Sequence, residues 1–242
     1  MLQFLHLPLF VPTFFAILTQ PLGFFREYYQ LVTTRKASFW DINAEEDSDH
    51  YLSPVKFAAL ALALSNLIFP LILALGTQAG VFSPEYAAFA DWAEEQGYLD
   101  SPQFTGIGIV DDVLREIIVL LMFYGLGHLI ALLSRKRIPA RFAAGYFFYW
   151  GAWGLLGSLA QFVMVLLSSV MPGFPTSVYF FLDGAISLAA YVMFLVFPIL
   201  YWPRILDISK KQSAIALLGG LAIWIPVIAI VATVIVDVPD IG

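Results

Sequence analysis

From Ile117 to Ser134 the chain carries no Asp, Glu, Lys or Arg. Asp111, Asp112, Arg115 and Glu116 stand before this run, and Arg135, Lys136, Arg137 and Arg141 stand after it. An uncharged run of this length, acidic at one end and basic at the other, reads as a membrane crossing with a defined direction. Pro139 lies in the very short turn that follows. That turn joins the crossing to another apolar stretch, so the two form a helical hairpin from which the rest of the fold is built outward.

Composition supports a lipid environment for the whole chain. Of 242 residues 60% are hydrophobic and 12% charged, against about 25% charged in soluble domains. A soluble protein of this size would leave too much apolar surface in water. Cysteine is absent, which excludes disulfides, thiolate metal sites and cysteine nucleophiles. A net charge of −6 gives no electrostatic footprint for nucleic acid.

The sequence predicts an all-α polytopic membrane protein with five transmembrane helices and N-terminal interfacial or re-entrant helices. Residues 2–25 hold no charged side chain, but Pro8, Pro12 and Pro21 each remove a backbone donor. The expectation is therefore two short helices within 12–33, the second opened by Pro21, with Phe24, Phe25, Tyr28, Tyr29 and Val32 on one face. No basic n-region or small-residue cleavage site marks a signal peptide. Residues 34–53 form an acidic loop whose spacing lacks the glycine turn and final glutamate of a calcium loop. Residues 1–53 are thus a peripheral region, and 54–242 a five-helix membrane domain. Ser53-Pro54 caps and opens the first span. The spans cover about 55–76, 113–134, 140–171, 177–202 and 213–236. An amphipathic helix is expected within the outer loop, from Pro84 to Gln96. No internal repeat supports an inverted-repeat transporter.

The cations sort by loop. Arg26, Arg35, Lys36 and Lys56 precede span one; Arg135, Lys136, Arg137 and Arg141 join spans two and three; Arg204, Lys210 and Lys211 join spans four and five. Only Arg115 falls toward the other side, and the loop 77–107 has no Lys or Arg. The positive-inside rule places the N-terminus in the cytoplasm and the C-terminus outside, in the cell inner (plasma) membrane.

Polar residues inside spans are candidate functional groups because each is costly unless partnered. Arg115, Glu116 and Asp183 lie toward the outer side, and Asn66 and Gln161 lie within spans one and three. Arg115 has two possible partners, Asp183 across helices or Asp111 and Asp112 on its own helix. His128, flanked by Gly125 and Gly127, is either a packing hydrogen bonder or an axial ligand to haem or a chlorophyll-type pigment. Gly151, Gly154, Gly157 and Ser158 form a small-residue face that would admit a neighbouring helix closely. Pro70, Pro198 and Pro226 bend or loosen three helices. No phosphate loop, zinc-protease motif or hydrolase elbow is present, so no catalytic residues, metal or obligate cofactor are predicted.

The layout resembles the Yip family, five-span membrane proteins named for interaction with Rab GTPases in eukaryotes. The resemblance rests on Gln20-Pro21-Leu22-Gly23-Phe24-Phe25-Arg26, on Ser53-Pro54-Val55-Lys56-Phe57, and on Tyr124-Gly125-Leu126-Gly127-His128-Leu129 running into a basic turn and an aromatic third span. The family's glycine-rich turn between spans two and three is replaced here by Arg135-Lys136-Arg137-Ile138-Pro139. The resemblance implies a helical membrane protein with trafficking, scaffolding or assembly roles and no catalytic residues. The leading expectation is a non-enzymatic scaffold, assembly factor or accessory subunit that contacts membrane lipids and other membrane proteins in a larger complex. The alternatives are a small-solute or ion transporter or channel using the intramembrane polar residues, and a pigment- or haem-binding subunit using His128.

Overall fold

The computed structural model describes residues 7–34, 51–78, 108–171 and 176–236. Among these residues the fold is entirely helical. We number seven continuous helices: α1 (Leu7–Thr19), α2 (Pro21–Thr34), α3 (54–78), α4 (Gly108–Leu133), α5 (Ala140–Val170), α6 (176–206) and α7 (Lys210–Val236). The expected helix at 84–96 and most of the acidic loop lie outside the described residues.

Local sequence explains most helix ends. Pro21 starts α2, where its missing N–H is not needed, and the Gln20 carbonyl accepts the Phe24 N–H at 3.0 Å. Pro54 starts α3 in the same way after Ser53. The α1 helix begins at Leu7 and continues through Pro12, where the sequence had placed Pro12 at a helix start. The α7 helix begins three residues before its expected start, because Ser209 and Gln212 form a capping box. The Gln212 N–H donates to Ser209 Oγ, and the Ser209 N–H donates to Gln212 Oε1, both at 3.1 Å. The α6 helix likewise passes through Pro203 to Leu206 and ends on a left-handed Asp207 (φ 52°).

Two helices contain a π turn directly before a Phe-Pro pair, Leu64–Ile68 before Phe69-Pro70 and Val192–Val196 before Phe197-Pro198. A proline ring collides with the carbonyl four residues earlier and supplies no N–H. A wider turn accommodates the ring, and the Phe197 N–H reaches back five residues to the Val192 carbonyl. In that register the Met193 carbonyl faces the missing N–H of Pro198.

Contacts divide the described residues into two units. The first draws on 1–58, 117–150 and 191–242, and the second on 59–116 and 151–190. The first unit has an aromatic core on the α5 segment 140–150. Phe25 lies 4.6 Å from Tyr146, Phe24 4.8 Å from Tyr149, and Phe142 5.6 Å from Trp202 (ring centroids). The expected aromatic face of α2 therefore packs against α5, with Phe24, Phe25 and Tyr28 buried. Close backbone approach completes this unit. A Cβ on Gly127 would lie 2.5 Å from the Ala144 nitrogen, and one on Gly145 would collide with the Tyr28 hydroxyl. In the second unit Phe69 stacks on Phe162 at 5.2 Å.

Among the described residues two helical segments are long and apolar enough to cross a membrane, Gly184–Leu206 (mean hydropathy 2.0) and Lys210–Ile230 (mean hydropathy 2.3). Only 17% and 22% of their most apolar windows are buried within the protein, whereas the core helix of a soluble protein would be mostly covered. Shorter apolar helical stretches run over Pro8–Thr19, Pro54–Ala63 and Ile117–Leu133.

Candidate functional site

The residues singled out in sequence separate between the two units. Asn66, Arg115, Glu116, Gln161 and Asp183 belong to the second, and His128 to the first. The backbone of Asn66 lies in the π turn of α3, that of Arg115 and Glu116 in α4, and that of Asp183 in α6. The side chains of these four, and with them the choice of partner for Arg115, lie outside the described residues. Gln161 is exposed on α5. Among the described residues no group of three His, Asp or Glu could hold a metal ion.

His128 is exposed, and its Nδ1 lies 3.0 Å from the Tyr124 carbonyl one turn earlier. Its ring sits 4.2 Å from the Tyr124 ring. A carbonyl accepts only from N–H, so the bond puts a proton on Nδ1, and the neutral ring in this tautomer has its lone pair on Nε2. The small-residue face on α5 is open. A Cβ on Gly151 or Gly154 would meet no described atom within 4 Å, and one on Gly157 would just touch Ile186 at 4.0 Å. Ser158 is half-buried beside them.

Sequence reasoning missed a set of hydroxyls in the first unit, all donating to backbone carbonyls. The Tyr146 hydroxyl donates to the Met193 carbonyl, the acceptor that Pro198 deprives of a helical donor. Tyr149 donates to the Leu52 carbonyl at 2.5 Å, while the Leu52 N–H donates to Thr13 Oγ1 at 2.8 Å. Both backbone polar groups of Leu52 are thereby satisfied from α5 and α1. Tyr28 crosses Gly145 to donate to the Arg141 carbonyl at 2.9 Å, and Ser213 donates to the Pro198 carbonyl at 2.8 Å. These hydroxyls tie separate helices together through backbone carbonyls. The signals in the sequence were the prolines that orphan carbonyls and the tyrosines at helical spacing on α2 and α5.

The cationic turns share one end of this unit. Arg135 and Lys136 are both left-handed (φ 54° and 63°) and exposed, and Ser134 secures their turn by accepting the Ile138 N–H at 3.1 Å. Arg204, Lys210 and Lys211 are exposed around the second turn, which Phe142–Trp202 and Gly219–Leu133 contacts hold beside the first. Arg204 lies over the Tyr201 ring, 5.5 Å from its centroid. Ahead of the α2 cluster, Tyr51 has a phenol pushed above its ordinary range by burial and by the nearby Glu27 carboxylate.

Two open grooves flank the α1–α2 turn. One, of about 500 Å³, runs along α1 from Leu9 to Gln20 and ends at Tyr51. The other, of about 540 Å³, lies between residues 19–23 and the 192–201 stretch of α6. No family model, curated protein or solved structure matches the chain.

Proposed function

We propose that this chain is a non-enzymatic, five-span inner-membrane protein that binds other membrane proteins as a scaffold, assembly factor or accessory subunit. The observation that carries the reading is the contrast between its two sets of helix glycines. Those at 125, 127 and 145 are filled by neighbours within the chain, whereas Gly151 and Gly154 meet no described atom. Within lipid, close approach of small residues is a main source of helix association, and an unfilled small-residue face suits a helix from a partner. The Yip-family resemblance of the Gln20–Arg26 segment and of the Tyr124–Leu129 stretch favours the same class of role.

The spans proposed are α3 through α7, with both basic turns and the N-terminus in the cytoplasm and the C-terminus outside. Two sufficiently long apolar segments and the sorting of cations support this topology. Crosslinking in native membranes followed by mass spectrometry tests the function: a defined partner recovered through α5 is expected, and a persistent lone monomer would overturn it. A second reading, as a transporter or channel, draws on Asn66, Arg115, Glu116, Gln161 and Asp183 falling in one unit. Solute flux in vesicles that disappears in an Asp183→Asn variant would favour it. The free Nε2 of His128 suits a haem or pigment ligand, and a coloured purified protein would support that use.

A further inference from the structure

We propose that the groove between the α1–α2 turn and α6 binds one anionic phospholipid, its acyl chain in the groove and its phosphate at Arg204. The inference rests on the membrane placement argued above. One wall is the end of α6, part of the Gly184–Leu206 segment long enough to cross a bilayer. Val196, Leu200 and Tyr201 line it, and Pro21, Leu22 and Gly23 form the opposite side. A notch of about 540 Å³ in a lipid-facing surface does not stay empty, because its lining atoms would lose their packing partners. Along α6 the groove runs from Val192 to Tyr201, roughly 14 Å at the helical rise. That matches about half of a ~30 Å hydrocarbon core, the depth of one leaflet.

The ends of the groove differ in charge. Val192 and Met193 mark the deep end. At the other end Tyr201 stacks on Phe197 at 4.8 Å and carries the Arg204 guanidinium on its face. Arg204 is exposed there, so the chain end that needs a counter-charge meets a guanidinium. A largely apolar slot one leaflet deep with a cation at its mouth complements an anionic lipid better than a neutral one. Gly23 keeps the slot open. A Cβ at this helical position would meet nothing within 4 Å, so the missing side chain serves no packing need inside the protein.

Gly23 also makes the site testable without disturbing the fold. The full-length protein is purified in mild detergent and offered phosphatidylglycerol, phosphatidylcholine with the same acyl chains, or glycerol phosphate with none. Native mass spectrometry and thermal melting are the readouts. The expected result is a single retained phosphatidylglycerol, preferred at least about tenfold over phosphatidylcholine, ~1.4 kcal/mol, with no melting shift from glycerol phosphate. Gly23→Trp should abolish the adduct with helical content unchanged, and Leu200→Trp should do the same from the opposite wall. Arg204→Gln should keep the acyl adduct and lose the headgroup preference. Equal retention of both lipids, an adduct that survives both tryptophan variants, or an equal shift from glycerol phosphate would overturn the site. Release of the protein from membranes by alkaline carbonate would overturn the membrane placement itself. Firm retention without headgroup preference would overturn the lipid site alone.

Discussion

Tyr146 and Met193 are joined through a proline that belongs to neither. Pro198 removes the N–H that the Met193 carbonyl would use in its π turn, and the Tyr146 hydroxyl donates in its place. Tyr146→Phe leaves that half-buried carbonyl without its donor, which costs about 1 kcal/mol. Thermal unfolding in detergent should therefore register a clear loss. Pro198→Ala, which restores a backbone N–H, should offset part of the loss in the double variant.

Gly127 and Gly151 lie on successive helices and should respond to alanine in opposite directions. At Gly127 the added methyl meets the Ala144 backbone at 2.5 Å, so α4 and α5 must separate, at about 1–3 kcal/mol. At Gly151 it meets nothing described within 4 Å, and the gain in helix propensity, up to ~1 kcal/mol, should raise stability slightly. Gly151→Leu should fold normally and recover less partner on crosslinking. Unchanged recovery would argue against the proposed docking face.

Arg135 and Lys136 hold a left-handed backbone that disfavours any residue with a Cβ by roughly 1–2 kcal/mol. Lys136→Gly should stabilise the purified protein by about 1 kcal/mol. It should also weaken the proposed cytoplasmic placement of the turn, read by accessibility labelling. A glycine variant less stable than the parent would show that the lysine side chain makes a compensating contact.

Alkaline pH should act through Tyr51. Its phenol is raised above its usual value first by burial and second by Glu27. A raised acid binds its proton longer in the folded state than in the unfolded one, so stability is unaffected at neutral pH and declines once pH rises beyond about 10. Glu27→Gln should lower the phenolate transition only in part, because the carboxylate is the smaller cause. Ultraviolet titration against Tyr51→Phe measures it.

Helix positions were the legible part of the sequence, because prolines, apolar runs and charges act locally. Pro21 and Pro54 fixed two starts, and the long runs after Ala140 and Thr176 marked α5 and α6. The start of α7 was misplaced because Lys210 and Lys211 read as loop, while the reciprocal Ser209–Gln212 cap draws both into the helix. The packing of α2 was harder to see. Its aromatic face suits lipid headgroups as well as it suits Tyr146 and Tyr149, and only tertiary contact distinguishes the two. The prolines and the spaced tyrosines hinted at the hydroxyl network but not at its pairings, since each bond joins positions such as 52 and 149 or 28 and 141 that no local pattern links. Among the glycines, those flanking His128 stood beside a residue with two open readings, packing or ligation. The structure gives them to Trp224 and Ala144.

The π turn at Val192–Val196 also sets a direction. One surplus residue in the winding advances every later side chain by roughly 100° around the axis. Phe197, Trp202 and Ile205 point inward by virtue of that offset. Removing a single residue between Val192 and Val196 would leave composition and length almost untouched, yet swing the closing ten residues of α6 toward lipid and misalign Pro198 with Ser213. A helix of this kind tolerates substitution more readily than a change of phase.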